Sequence, residues 1–215
     1  MFKRPVVIVA VLAAFIAAVF LYDYYGSGRA GAPAGGELVR PHSPVIGPAD
    51  AAVTIVEFFD PSCESCAVFH PVLKQILAIF PRDVRLVLRY TPFHQGSDEA
   101  VRILETARAQ QVFEPVLEAL LARQAEWAIH GAPDLARAWA IAGAAGLDVP
   151  RARAEAASDA ISRVLAQDVA DAQAFEVQAT PTFLVNGKPL PSFGAQQLYD
   201  LVRSEVEARR GGIEG

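Results

Sequence analysis

Apolar residues along this 215-residue chain follow three different patterns. The first is an unbroken run from Pro5 to Tyr22, "PVVIVAVLAAFIAAVFLY", apolar on every helical face. The second is a pair of short stretches, Val53 to Phe59 ("VTIVEFF") and Val84 to Tyr90 ("VRLVLRY"). They are rich in β-branched and aromatic residues and read as strands, the first of them buried. The third has helical spacing: Val68, Val72, Leu73, Ile76 and Ile79 predict a helix beginning at Ser62 or Cys63. Pro71 lies inside that helix and should kink it, and Pro81 ends it. A long helical stretch follows, with helices expected near 98–110, 112–129, 134–145, 151–157 and 159–174. Ser97-Asp98-Glu99 and Pro133-Asp134 supply start signals within it. Thr182 to Val185, the Asn186-Gly187 turn and Lys188 to Leu190 predict a hairpin. An amphipathic helix closes the order from Ala195 to about Arg209. The expected order is strand, helix, strand, helical block, hairpin, helix.

The first apolar run changes where such a domain would work. Lys3 and Arg4 precede it, and Asp23 with Tyr22, Tyr24 and Tyr25 marks its end. Positive residues before the run predict an N-terminus kept in the cytoplasm, and tyrosines suit a membrane interface. The run is at the short end of a span and long for a signal-peptide core. Ala30-Gly31-Ala32 is a poor cleavage site, distant from the run and followed by Pro33. Residues 1–25 therefore read as an uncleaved anchor spanning at 5–22, in preference to a cleaved signal peptide. Residues 26–36, "GSGRAGAPAGG", read as a flexible linker, with folded structure starting near Glu37. Either form of export puts the remaining chain where disulfides persist. The net charge of −5 gives no reason to expect nucleic acid.

The chain has two cysteines, both in "FFDPSCESC". So short a loop gains little from a structural disulfide. Cys63 should sit at the helix N-terminus, where exposed N–H groups and the helix dipole favour a thiolate. It is then the natural attacking sulfur, and Cys66, more buried, is placed to resolve the mixed disulfide. Zinc remains an alternative for a C-x-x-C, but it needs two further ligands. His42, His70, His94 and His130 are scattered, and none is spaced as a ligand with another. Glu57 lies inside the apolar strand, on one face with Val53, Ile55 and Phe59. It reads either as a desolvated carboxyl that accepts a proton from Cys66, or as an edge-strand carboxylate with its head in solvent. Pro181 begins an expected interior strand, where it cannot donate to the ladder. It is either cis or an ordinary trans proline. His70 reads as a solvated helix residue in preference to a tuner of Cys66. Trp127, Trp139, Phe113 and Leu117 read as packing residues.

Together, "VTIVEFFDPSCESC", Pro71 and "ATPTFLVNGKPL" resemble the DsbA-like branch of the thioredoxin-fold superfamily. The resemblance covers residues 37–210 and is loose in the helical block. It implies an α/β thioredoxin fold at 37–93 and 176–210 with an all-helical domain inserted at 94–175, preceded here by the transmembrane helix. It implies that Pro181 is the cis-proline facing the cysteines, that Thr180 offers its backbone to an extended substrate, and that Glu57 is the buried acid beneath them. Glu64-Ser65 departs from the Pro-His dipeptide of strongly oxidising members. A glutamate there should oppose the Cys63 thiolate, so Glu64 and Ser65 are expected to tune the redox poise. Thr180 before the proline is similar to the disulfide isomerases of the superfamily.

These readings predict an enzyme, a protein thiol–disulfide oxidoreductase tethered to the inner (cytoplasmic) membrane. Its catalytic domain faces the periplasm or cell envelope. It exchanges disulfides with protein substrates, foremost as a dithiol oxidase, needs no cofactor or metal, and is recycled by a membrane redox partner. One alternative reverses the electron flow, as a reductase or isomerase. Another, from a different class, is an anchored module using the two thiolates for a soft metal such as copper.

Overall fold

Strand β2 (Val53–Phe59) lies in the middle of a five-stranded sheet of order β1-β3-β2-β4-β5. The computed structural model describes residues 36–211. The expected anchor at 1–25 and all of the expected linker except Gly36 lie outside the described residues. Among the described residues, no helix is long and apolar enough to cross a membrane. β3 (Val84–Tyr90) pairs parallel with β2, and β4 (Thr182–Val185) pairs antiparallel on its other side. β5 (Lys188–Pro189) follows β4 through Asn186 and Gly187, both at positive φ, the conformation a two-residue hairpin turn needs. Outside β3 lies β1 (Val45–Ile46), antiparallel, a strand too short to leave a pattern in the sequence.

Alternation along the strands sorts residues between two faces. Val53, Ile55 and Phe59 of β2 with Val84, Leu86 and Leu88 of β3 pack against Leu73 and Ile76 of helix α1 (Glu64–Ile79), and against Leu198, Val202 and Val206 of the C-terminal helix. The opposite face carries Val56, Phe58 and Val87, covered by Ala172 and Val177 with Phe175 beside them. Gly36 is buried there too, its Cα so near Phe175 that a side chain would collide with the ring, so the last residue of the expected linker is part of the packed structure.

Five α-helices connect β3 to β4: α2 (Ser97–Ala109), α3 (Phe113–Ala122), α4 (Leu135–Ala144), α5 (Val149–Ala156) and α6 (Asp159–Ala174). The C-terminal helix, Ala195–Gly211, is α7. α4, α5 and α6 start at Asp134, Asp148 and Ser158, whose side chains each accept a backbone N–H from three residues on. The block does not have a core of its own. Ile103, Leu104, Leu117, Leu120 and Trp127 join the same apolar cluster as α1 and the sheet. Trp139 is buried there as well, and Phe113 packs at its margin.

The helix expected over 112–129 ends instead at Ala122 and passes into a 3-10 turn, Gln124–Glu126. Its far end is held by longer-range bonds. The Trp127 indole N–H reaches back to the Leu120 carbonyl at 2.9 Å. The Gln124 amide leaves the helix direction altogether, donating to the carbonyls of Pro61 (2.8 Å) and Cys63 (3.0 Å).

The polar seam between sheet and insertion centres on Arg89, fully buried on β3. Its guanidinium donates to Asp168 Oδ1 through Nε (3.0 Å) and Nη2 (2.8 Å), and also to Asp171 and to the Glu37 carbonyl. Asp168 takes the Tyr90 N–H (2.8 Å) and lies 2.8 Å from His42 Nε2; Asp171 takes the Arg40 guanidinium at 2.9 and 2.8 Å. Burial pushes Asp171 up, but hydrogen bonds from Arg40 and Arg89 outweigh it and hold the carboxyl at about 2. Three segments remote in sequence are thus locked at one point. Asp168→Ala would leave a buried guanidinium short of its partner, and the expected loss is about 3–5 kcal/mol in a denaturant titration. In the parent, the Asp171 contribution is complete above its ordinary 3.8 and is lost as pH falls through about 2. Asp171→Asn should flatten that part of the acid-unfolding profile.

Candidate active site

The end of β2, the turn over Asp60 to Ser62 and the first turn of α1 bring the two cysteines together. Cys63 is the N-cap of α1 in extended backbone (φ −79, ψ 121), and Cys66 lies one turn inside. Both are free thiols, Cys63 at 6% exposure and Cys66 at 0%. Across from them runs the chain that enters β4. The register that sets Phe58 opposite Thr182 carries Thr180 and Pro181 to the cysteines, with the Thr180–Pro181 bond cis. The Cys63 sulfur lies 3.1 Å from the Thr180 carbonyl oxygen, a contact across 117 positions of sequence.

The two sulfurs are electrostatically opposite. The Cys63 thiolate is stabilised first by a hydrogen bond from the Cys66 thiol; burial opposes this, while the Thr180 side chain and the backbone N–H groups of Cys66 and Ser65 add to it. The contact with the Thr180 carbonyl suits the protonated thiol, but the donors to the thiolate prevail, and Cys63 is lowered to about 5. Burial drives Cys66 the other way, reinforced by its hydrogen bond to Cys63 and by the charge of Glu57. The helix N-terminus contributes as the sequence implied, through individual N–H groups, but the partner thiol is the larger cause.

Glu57 is 2% exposed and lies between β3 and β4, opposite Leu88 and Phe183. The edge-strand reading therefore fails, because β2 is central and no solvent reaches the carboxyl. Burial raises Glu57 well above the usual carboxylate range, the charge of Cys63 raises it further, and the Cys66 thiol draws it back in part. Its Oε1 has no hydrogen-bond partner among the described residues.

Asp60 was not singled out in the sequence, yet it holds the site together. It is fully buried and accepts from the backbone N–H groups of Ser62 (2.8 Å), Phe93 (2.7 Å) and His94 (3.0 Å), from the Ser97 hydroxyl, and from His94 Nδ1 at 2.7 Å. An Asp three residues before a helix cap, followed by a turn, is the one local signal that pointed to it. Gln124, which binds the Cys63 carbonyl, left no signal. Burial pushes His94 down, but the Asp60 hydrogen bond and charge more than offset this, and the charges of Cys63 and Glu64 act in the same sense, so His94 is raised.

Glu64 and Ser65 are exposed. Glu64 Oε1 lies 2.9 Å from His130 Nε2, so the carboxylate expected to oppose the thiolate has an imidazole for a partner. Two of the histidines that looked scattered meet: His94 and His130 stack with centroids 5.8 Å apart. His70 is half-buried, not solvated; burial lowers it, and its Nε2 has no partner among the described residues. It lines a separate cavity of about 200 Å³ with Leu73, Leu77 and Leu117, away from the sulfurs.

Comparison with known proteins places these features in context. The pattern of the thioredoxin family matches residues 40–202. A thioredoxin-like oxidoreductase from Silicibacter pomeroyi is similar in structure at a TM-score of 0.68, with 30% identity over 80% of this chain and 94% of that one. Oxidised BdbD from Bacillus subtilis gives 0.71 at 24% identity, covering 82% of this chain and 100% of that one. Among curated proteins, a Na+/H+ antiporter NhaA from Herminiimonas arsenicoxydans is 37% identical over 173 residues, 78% of this chain and 26% of the antiporter. The chain thus spans about a quarter of the length of the curated relatives it matches.

The electrostatics predict a one-sulfur titration. Thiolate absorbance of the reduced protein should rise with a midpoint near 5, from Cys63, with no second rise below the ordinary thiol range. Since the folded value lies below the ordinary 9.0, the stability of the reduced protein should climb as pH rises from about 5 and level off near 9.0. A Cys63 midpoint at the free-thiol value of roughly 8.5 would contradict this.

Proposed function

The chain belongs to the thioredoxin family, and from that premise we propose that it is a DsbA-like thiol–disulfide oxidoreductase acting on protein substrates, with Cys63 the attacking sulfur and Cys66 the resolving one. The observation that carries this reading is the juxtaposition at the sulfurs. Cys63 is at the cap of α1, 3.1 Å from the Thr180 carbonyl beside cis Pro181, with Cys66 and the Glu57 carboxyl buried behind it.

The geometry supports the following sequence. The Cys63 thiolate attacks one sulfur of a substrate disulfide; a mixed disulfide forms, and the other substrate sulfur leaves as thiolate. Cys63 then carries no charge. The hydrogen bond and the charge by which Cys63 raises Cys66 vanish together. Glu57 also loses the nearby charge that helps it keep a proton, so a larger fraction of the carboxyl is ionised, and in that form it can accept the proton of Cys66. The Cys66 sulfur attacks Cys63, closing the Cys63–Cys66 disulfide and releasing the second substrate thiolate. Two electrons pass from the pair to the substrate. In reverse, the same steps take two electrons from a substrate dithiol. The backbone of Thr180 and Pro181 is placed to pair with an extended substrate segment, in the position where the Thr180 carbonyl now meets Cys63. No bound cofactor enters these steps.

The low Cys63 value stabilises the reduced pair, which makes the disulfide the stronger oxidant and favours the dithiol-oxidase direction. Glu64 and Ser65 remain the proposed tuning positions. With Cys63→Ser, exchange with a protein disulfide should fall to background. With Cys66→Ser, mixed disulfides with substrate should accumulate on non-reducing gels. Glu57→Gln should slow resolution by about 10- to 100-fold, within or just below the range of general-base contributions. Full turnover by the Cys63→Ser protein would sink the mechanism.

The location is part of the same proposal: residues 1–25 anchor the chain in the inner membrane with the N-terminus in the cytoplasm, residues 26–35 form a tether, and 36–210 face the envelope. Lys3 and Arg4 before the apolar run and the tyrosines after it support this. A tethered domain suits recycling by a redox partner in the same membrane. The full chain should sediment with membranes and resist alkaline extraction, and deletion of residues 1–35 should release it. A mature N-terminus mapped beyond Tyr22 would overturn the anchor.

A further inference from the structure

Glu64, His94 and His130 come from three separate segments: the first turn of α1, the loop after β3, and the turn that follows Trp127. Each places one potential ligand atom within 4.8 Å of the other two. We propose that these residues form a zinc-binding site at the mouth of the cysteine pair.

The donor set is two imidazoles and a carboxylate, the three-ligand combination that leaves a fourth position open on a tetrahedral zinc. Ligand atoms sharing such an ion stand roughly 3.3 Å apart, given metal–ligand bonds of about 2.0–2.1 Å. Glu64 Oε1 and His130 Nε2 are already at 2.9 Å, and both side chains are about two-thirds exposed, at 65% and 67%, so small rotations suffice to seat an ion. His94 is the fixed member. Its Nδ1 lies 2.7 Å from Asp60 Oδ2, and a carboxylate already accepting from backbone N–H groups can only accept. Nδ1 therefore carries the hydrogen, which leaves Nε2 as the ring's lone pair. A buried carboxylate behind a ligating imidazole, fixing its tautomer and orientation, is the usual support of a zinc ligand. Asp60 is fully buried and anchored by four further donors, so this support is rigid. A cleft of about 80 Å³ bordered by Ser62, His94, Ile129 and His130 adjoins the site.

An ion here would tie the residue next to Cys63 to the helical block and cover the approach to the attacking sulfur. Zinc should then slow exchange reversibly. This consequence rests on the oxidoreductase reading; the binding does not.

The test uses the full chain in detergent with Cys63 and Cys66 oxidised to a disulfide, so that no thiolate is available, and Zn2+ titrated by calorimetry. The expected result is one equivalent bound by the parent, weakened at least ~10-fold in Glu64→Gln and in His130→Ala. Both replaced residues are exposed, and thermal melts check that each variant folds. Absence of saturable binding in the oxidised parent, or equal binding by both folded variants, would overturn the site. In a separate arm, zinc should slow exchange by the parent, a chelator should restore it, and His130→Ala should be insensitive to zinc. If the oxidised parent binds zinc but no exchange is seen even without metal, the oxidoreductase reading fails and the site stands.

Discussion

Much of this site follows from one constraint: a carboxylate removed from water must find its hydrogen bonds inside the protein. Asp60 is fully buried at the end of the central strand. It draws donors from the turn before Cys63, from the chain leaving β3 and from the first residue of α2. Each of those donors would otherwise be loop backbone or a polar side chain near the surface. Bound to one carboxylate, they fix the angle at which β2 passes into α1. The sulfur of Cys63 inherits its position from that angle.

The second anchor of the site is the sheet itself. β4 pairs with β2 in a register that brings Thr180 opposite the cap of α1, although the two are 117 positions apart. Everything between them must return the chain to the right place. The buried Arg89, Asp168 and Asp171 cluster does this on one face, and Gln124 does it on the other by reaching the Pro61 and Cys63 carbonyls. The insertion is therefore part of the machinery that holds the cysteines, and it shares its core with α1 and the sheet.

Burial then separates the two sulfurs. Cys63 stands where backbone N–H groups and a neighbouring thiol stabilise its charge, while at Cys66 burial outweighs the one backbone hydrogen bond, at Asp60, that favours a thiolate. Behind them Glu57 is held in a setting that disfavours its charge while Cys63 is a thiolate. The three groups form a coupled unit in which a change of charge on Cys63 alters both neighbours. Such coupling suits a reaction whose intermediate removes that one charge.

The strands, the cysteine-bearing helix, the hairpin and the final helix were legible in the sequence because their side-chain periods are local properties of the backbone. So was the position of the cysteine pair relative to a helix start. Two kinds of feature were not. β1 and the end of α3 have no period to read, since a two-residue strand and an interrupted helix are set by what packs against them. Asp60, Gln124 and the meeting of His94 with His130 and Glu64 depend on which loops the fold brings side by side, a distance that spacing along the chain does not encode. For Glu57 the sequence left two readings open, and only its place between β3 and β4 removed the solvent-exposed one, because a strand's neighbours determine whether water can reach its side chains.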